Sequence, residues 1–336
     1  MTTSPDALSL TITSVGNLYS QLPRLIERYR RMASDPSAPF VPNRTSPVQR
    51  VYQYTPLQTL TEITKQWNWN DSTGDSHSIA GQRAVWATSA PYMNDRREYE
   101  HGRSVFLKAL KDRQDQNLAN EANVLKMLER LIRNSSGGRF YIACFSEKAD
   151  DLGQWRGYGD WGRGVCLGYN YSKLQIIQPW FAGWVIYKQP TQEKVAQMLI
   201  DDLMTRIVSK ITMDPTLEKK IIRTSFDLLK VILPAAILLM KDNAFRDEAE
   251  YRLIHAIDAP TPPETKYRVR GQALIPYIEM TFGDPVTRNP VPVPLEEVIV
   301  GPVMNEHWHR RAIKKMLRSR DLGHIKVSPS PIPFLP

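Results

Sequence analysis

The chain has 336 residues, of which 42% are hydrophobic and 24% charged; that length can bury a sizeable core, and that balance excludes disorder over most of it. With 44 basic against 35 acidic side chains the formal net charge is +9, a surplus that suits a polyanion partner and equally a well-solvated basic surface. The two cysteines, Cys144 and Cys166, are too few for a secreted disulfide framework or a four-thiolate zinc site, so reduced, buried thiols are expected.

Residues 1–9 are polar and carry Asp6, unlike a signal peptide. The most apolar run, 231–240, contains Pro234 and is too short to span a bilayer. A cytoplasmic protein with no membrane partner is expected. Residues 18–32 place Leu18, Leu22, Leu25, Ile26 and Tyr29 at helical spacing, with Arg24, Arg28, Arg30 and Arg31 opposite. The Pro- and Ser-rich stretch 34–47 reads as a linker. Residues 1–45 therefore form a helical appendage, 46–328 a single domain, and 329–336 an extended proline-rich tail.

Within the domain, 51–54 is a short strand, 56–67 a helix, 68–78 a polar loop and 84–88 a second strand, closed by Pro91. The charged run 95–133 reads as one long helical region, with Asn94 and Asp95 after the strand and Asp95 as a helix cap; Gly137 and Gly138 end it. Apolar runs at 140–145, 164–169 and 184–187 are strands, the first central. Helices over 191–211 and 217–241 follow, then strands over 250–257, 273–282 and 297–301. A basic helix over 305–320 opens at Asn305 as N-cap, and 325–327 is a last short strand. No internal repeat is visible. Helices and strands mix without regular βαβ alternation, so the fold class is α+β with a mixed or mostly antiparallel sheet flanked by long helices.

Four segments could carry chemistry. In Asp247-Glu248-Ala249-Glu250-Tyr251-Arg252, strand alternation puts Glu248, Glu250 and Arg252 on one face. That face is either a solvated edge with a surface ion pair, or a wet cleft offering a base or ribose-hydroxyl binder tuned by a cation. Ser146-Glu147 marks where a buried strand emerges, as a site or as a capped turn. The segment 154–162 interleaves Trp155, Tyr158 and Trp161 with Gly157, Gly159 and Gly162; it either stacks a flat ring or closes a tight loop over the core. Its glycines have the spacing of a dinucleotide fingerprint, but no helix follows them. The fourth, 92–98, carries the cap. His307 and His309 lack the pattern of a metal site, and no metal is expected.

Together these pieces resemble an uncharacterised bacterial or phage-encoded domain family. Its members share a Tyr-x-Tyr strand (here Tyr52 and Tyr54), Asn-Asp-x-x-Glu (Asn94, Asp95, Glu98) and Cys-Phe-Ser (144–146). They also share Trp-x-x-Tyr (Trp155, Tyr158), Gly-x-Cys (164–166), Glu-x-Glu-Tyr-Arg (248–252) and Ile-x-Gly (299–301). The match spans roughly residues 50–330. Residues 52–55 with Leu57 and Leu60 look like the opening strand and helix of ADP-ribosyltransferases, with Gln53 or Tyr54 standing where those enzymes carry a His-x-Thr or Arg motif. Thr88-Ser89 and Glu248/Glu250 are similar to the Ser-Thr-Ser and Glu-x-Glu elements of one branch.

The resemblance implies a split sheet and NAD as substrate. Glu250 would steady the oxocarbenium-like ribose, and Glu248 would orient or deprotonate the acceptor. Tyr54 with Trp155 or Tyr158 would sandwich the nicotinamide, Arg252 or Arg156 would hold the pyrophosphate, and Tyr52, Thr88, Ser89 and Ser146 would complete the NAD site. Such a family member would be a toxin or anti-phage defence effector, with nucleic acid (RNA or DNA) as acceptor and a cognate antitoxin as partner. Two other readings stand beside it. One is a non-catalytic nucleic-acid-binding or regulatory module using the helices at 18–32 and 305–320. The other is a metal-dependent nuclease holding Mg²⁺ on Asp95, Asp151 and Glu248.

Overall fold

The computed structural model describes residues 48–334, apart from 71–75, 80, 94–96, 115–120, 178–180, 258–263, 271, 285–288 and 304. The expected helix at 18–32, its linker, Asn94 and Asp95 lie outside the described residues.

Two buried layers of apolar side chains flank one large sheet. Its central strand, β5 (Phe140–Ser146), alternates: Phe140 and Ile142 join one core, while Tyr141, Ala143 and Phe145 join the other. β8 (Glu250–Ala256) pairs antiparallel with β5 along its whole length and sorts its residues the same way, Ile254 to one core and Tyr251 and Leu253 to the other. β7 (Phe181–Trp184) continues the sheet beyond β8. On the other side run β1 (Arg50–Thr55), β6 (Val165–Asn170), β12 (Leu295–Val300) and β13 (Lys326–Pro329). A second arm comprises β4 (Ala84–Ser89), β10 (Ala273–Gly283), β9 (Lys266–Arg270) and β11 (Pro290–Val291). The β12–β13 pair is parallel and the others are antiparallel, so the sheet is mixed and open and the class is α+β.

The first core is roofed by four helices, α2 (Glu98–Gln114), α3 (Ala122–Asn134), α6 (Gln189–Met213) and α7 (Glu218–Ile237). Each buries a stripe at helical spacing, such as Val124, Leu128, Leu131 and Ile132 of α3. Every such leucine or isoleucine stabilises the fold by roughly 2 kcal/mol. Gly102 lets α2 meet the end of α7, since a Cβ there would sit 2.3 Å from the Ile237 carbonyl oxygen. The second core lies under α1 (Leu57–Ile63), α5 (Tyr171–Ile177) and α8 (Glu306–Arg318), which contribute Leu60, Leu174, Ile313 and Leu317. No helix among the described residues is long and apolar enough to cross a membrane.

Several elements differ from expectation. The polar loop at 68–78 is instead a hairpin of β2 (Trp67–Asn70) and β3 (Ser76–Ile79), with Trp69 opposite His77; Trp67 and Trp69 at period two outweigh the polar residues around them. Of the helical run expected over 95–133, the described residues form α2 and α3, and 115–120 lie outside the described residues. The strand expected at 184–187 begins earlier, at Phe181. The helix expected over 217–241 ends at Ile237, just beyond Pro234, and frees Met240 and Lys241 for an extended course beside Ile186. Strands β9 and β11 are additions. Asn305 caps α8 as expected, its Oδ1 accepting from the Trp308 N–H at 3.2 Å. The tail is already in β13 at Pro329.

Candidate functional site

Strand β5 shares one of its edges between two neighbours. β4 pairs with its beginning, Thr88 opposite Ile142 and Ser89 opposite Tyr141, and β1 pairs with its end, Tyr52 opposite Ser146. Between these contacts the two neighbours diverge, and a cleft of about 750 Å³ opens in the fork, a volume typical of small-molecule sites. Cys144 lies on its floor, where Gln53 Nε2 donates to the Cys144 carbonyl at 3.5 Å.

The fork collects side chains from distant parts of the chain. One wall carries Tyr52 and Tyr54 of β1; the opposite wall carries Trp86 and Thr88 of β4 with Arg268 and Arg270 of β9. The loop after α4 (Leu152–Gly157) brings Tyr158 and the 57%-exposed Trp161 to the rim, and Arg156 of α4 joins them. At the base sit Lys241, Glu248 and Glu250.

That base is a compact charge cluster. Lys241 Nζ donates to Glu248 Oε2 at 2.5 Å and to Glu250 Oε2 at 3.1 Å, and stands over the Phe245 ring at 4.8 Å. Arg252 Nη2 donates to Glu250 Oε2 at 2.7 Å, and its Nη1 to the Leu238 carbonyl at 2.5 Å. Tyr158 Oη donates to Glu248 Oε1 at 2.8 Å. Burial by itself would raise the Glu250 carboxyl; the Arg252 guanidinium and then the Lys241 ammonium more than offset it, and the group stays ionised well below the usual carboxylate range. Burial, followed by the Glu248 charge, pushes the Tyr158 hydroxyl up, which keeps it a donor. Burial, followed by the Glu250 charge, likewise pushes up the Cys144 thiol, so that it is no ready nucleophile.

The backbone sets this geometry. Glu248 ends a short 3₁₀ turn (Asn243–Glu248), and Ala249 takes a left-handed conformation at φ 44°. The two acids therefore do not share a strand face as alternation predicts; a bend aims both at Lys241. The Glu248 carbonyl accepts from Ser146 Oγ at 2.8 Å, and the Glu250 N–H donates to Tyr187 Oη at 3.0 Å. Gln192, fully buried on α6, donates through Nε2 to the carbonyls of Ile186 at 2.6 Å and Lys241 at 2.8 Å. It thus pins the segment that presents the lysine.

Of the residues expected to form a site, Tyr52, Tyr54, Thr88, Ser146, Arg156, Tyr158, Glu248 and Glu250 line this cleft. Trp155 does not: it is fully buried with its Nε1–H on Asp150 Oδ1 at 2.7 Å, edge-on to Tyr54 at 4.9 Å, so it supports the wall and stacks on no ligand. Arg252 is also fully buried, beneath the cluster, and is no pyrophosphate ligand. Ser89 follows strand alternation to the side of β4 away from the cleft, next to Thr88, which faces it. Ser146 is 3% exposed and holds the Glu248 backbone.

Lys241, Arg268 and Trp86 were not expected here, whereas Gln53, expected at the motif position of β1, lines the cleft. The Arg268 guanidinium donates to Thr88 Oγ1 at 2.7 Å and lies over the rings of Trp86 at 5.7 Å and Tyr277 at 5.5 Å. No carboxylate partner accompanies it among the described residues. The sequence signal for Lys241 was a lone charge closing the apolar run 231–240. For Arg268 it was the alternation of Lys266-Tyr267-Arg268-Val269-Arg270. Asp151, one of the acids of the metal reading, caps α4 through the Gln154 N–H at 3.0 Å. Among the described residues no group of three His, Cys, Asp or Glu could hold a metal ion.

A protein-family model described as a protein of unknown function (DUF2971) matches residues 154–253. A domain of that family of unknown function therefore occupies this part of the chain. The matched segment brings the rim residues Arg156 and Tyr158 together with Lys241, Glu248, Glu250 and Arg252; the walls from β1, β4 and β9 lie outside it. No curated protein and no solved structure matches the chain.

Proposed function

We propose that the protein is an NAD-dependent ADP-ribosyltransferase working in the fork of its sheet. The observation that carries this reading is the convergence of Glu248 and Glu250 with Tyr52, Tyr54 and Tyr158 in one cleft, opposite the cation Arg268. Breaking the nicotinamide–ribose bond builds positive charge on the ribose carbon. An ionised carboxylate already oriented by Arg252 and Lys241 stabilises that charge without reorganising, and Glu250 takes this role. Glu248, hydrogen-bonded to Tyr158, is placed to orient the incoming acceptor. The tyrosine rings offer flat surfaces for the nicotinamide. Arg268, held by Thr88 and the Trp86 ring, takes the phosphate role first assigned to Arg252 or Arg156. Nucleic acid is the acceptor that the +9 charge favours.

The test is incubation with NAD labelled in its adenylate half, together with total RNA, DNA or protein, following nicotinamide release and label transfer. Wild type is expected to release nicotinamide, and Glu250→Gln to slow release by about 100-fold or more. Absence of both signals in wild type, or a Glu250→Gln rate equal to wild type, overturns the reading.

A further inference from the structure

We infer that α8 and the turn that follows it form a docking surface for the phosphate backbone of a nucleic acid, separate from the cleft. Helix α8 buries Ile313 and Leu317 and turns His307, Arg311, Lys314 and Arg318 outward. Their spacing of four, three and four residues aligns them in one stripe. Lys315 and Trp308, the latter 66% exposed, flank that stripe. None of Arg311, Lys314, Lys315 or Arg318 has a carboxylate partner among the described residues. At its C-terminal end the stripe runs into a concave site of about 250 Å³ lined by Lys314, Arg318, His324 and Lys326. Lys326 pairs with Glu297 at 2.8 Å, while Lys314 and Arg318 at the same hollow have no carboxylate partner among the described residues and place complementary charge where phosphates can enter it.

The dimensions suit a strand of nucleic acid. At 1.5 Å per residue the stripe spans roughly 16 Å, the rise of about five nucleotides along one strand at 3.4 Å each. Trp308 beside it offers a ring on which an unpaired base stacks. Arg320 ties the surface to the cleft, its Nη1 donating to the Thr61 carbonyl at 2.8 Å and to Thr64 Oγ1 at 2.7 Å. Those residues belong to or abut α1, whose Gln58 and Glu62 line the cleft. Arg320 thus links the turn after α8 to the helix that lines the cleft.

The experiment is fluorescence anisotropy with the full chain and no NAD. Three labelled probes are used: a 20-nucleotide single-stranded RNA, a 20-base-pair RNA duplex and a 20-base-pair DNA duplex. Binding is expected to at least one of them, with log Kobs falling against log salt at a slope of about −3, as four neutralised phosphates give. Arg311→Glu/Lys314→Glu/Arg318→Glu is expected to weaken binding at least tenfold and to reduce that slope to about −1. Trp308→Ala should affect the single strand alone. The control Lys219→Glu/Lys220→Glu/Arg223→Glu, on the exposed start of α7, makes the same change in net charge and is expected to bind like wild type. Circular dichroism melts establish that each variant is folded. No binding of any probe at low salt, a triple α8 variant that binds like wild type, or equal losses in both triple variants overturns the proposal.

Discussion

Lys241 is 3% exposed and holds two carboxylates at once. Its removal leaves Glu248 and Glu250 with a single buried guanidinium between them. Lys241→Met is expected to lower unfolding free energy by about 3 kcal/mol, seen as a lower urea midpoint at unchanged m. Adding Glu248→Gln should restore part of the loss, since one of the stranded charges is then gone. If Lys241→Met is as stable as wild type, the cluster does not hold the base of the cleft. This is also where residue-level reading of the sequence reaches its limit. Glu248 and Glu250 are legible as a pair from their spacing, but the left-handed Ala249 that joins them is not, and neither is the lysine that binds them, nine positions upstream of Glu250. That contact follows from where α7 stops, a tertiary fact.

Among the elements, those whose apolar face points inward are legible. β5, β8 and α8 show their period in the sequence and bury the residues that period selects. β9 reverses the rule: Tyr267 and Val269 are 63% and 75% exposed, while Arg268 between them faces the cleft, so hydrophobic periodicity points away from its function. The segment 152–162 shows why the aromatic–glycine pattern was ambiguous, since it is both a packed loop and a cleft rim. A Cβ on Gly159 would lie 2.4 Å from Cε3 of the buried Trp155, whereas one on Gly157 would meet nothing within 4 Å. Gly159→Ala is therefore expected to destabilise by about 2 kcal/mol as the Trp155 ring is forced against Tyr54. Gly157→Ala should stay within about 0.5 kcal/mol. Thermal melts of the two variants decide this, and equal melting temperatures would mean that the rim does not rest on Trp155.

For the whole molecule, burial sets the response to acid. His255 on β8 is 4% exposed, and desolvation lowers its pKa to about 4. The unfolded chain takes up this proton near pH 6.5 and the folded chain only near 4, so stability falls across that window as pH drops. The expected loss from this residue is about 2 kcal/mol between pH 7.5 and pH 5. Denaturant titrations at the two pH values measure it, and His255→Gln should remove most of the difference. Glu250 acts in the same direction: its folded pKa is also depressed, so its ion pairs contribute fully above the ordinary carboxylate range and are lost as pH falls toward the depressed folded value. The fork has a further consequence for how the protein is made. A nascent chain that has emerged through α7 already contains β1, β4 and β5, but still lacks Lys241, both carboxylates and Arg268. The ribosome therefore releases the β1 and β4 walls of the cleft before the Lys241, Glu248 and Glu250 cluster at its base, and any chemistry there waits until translation has passed β9.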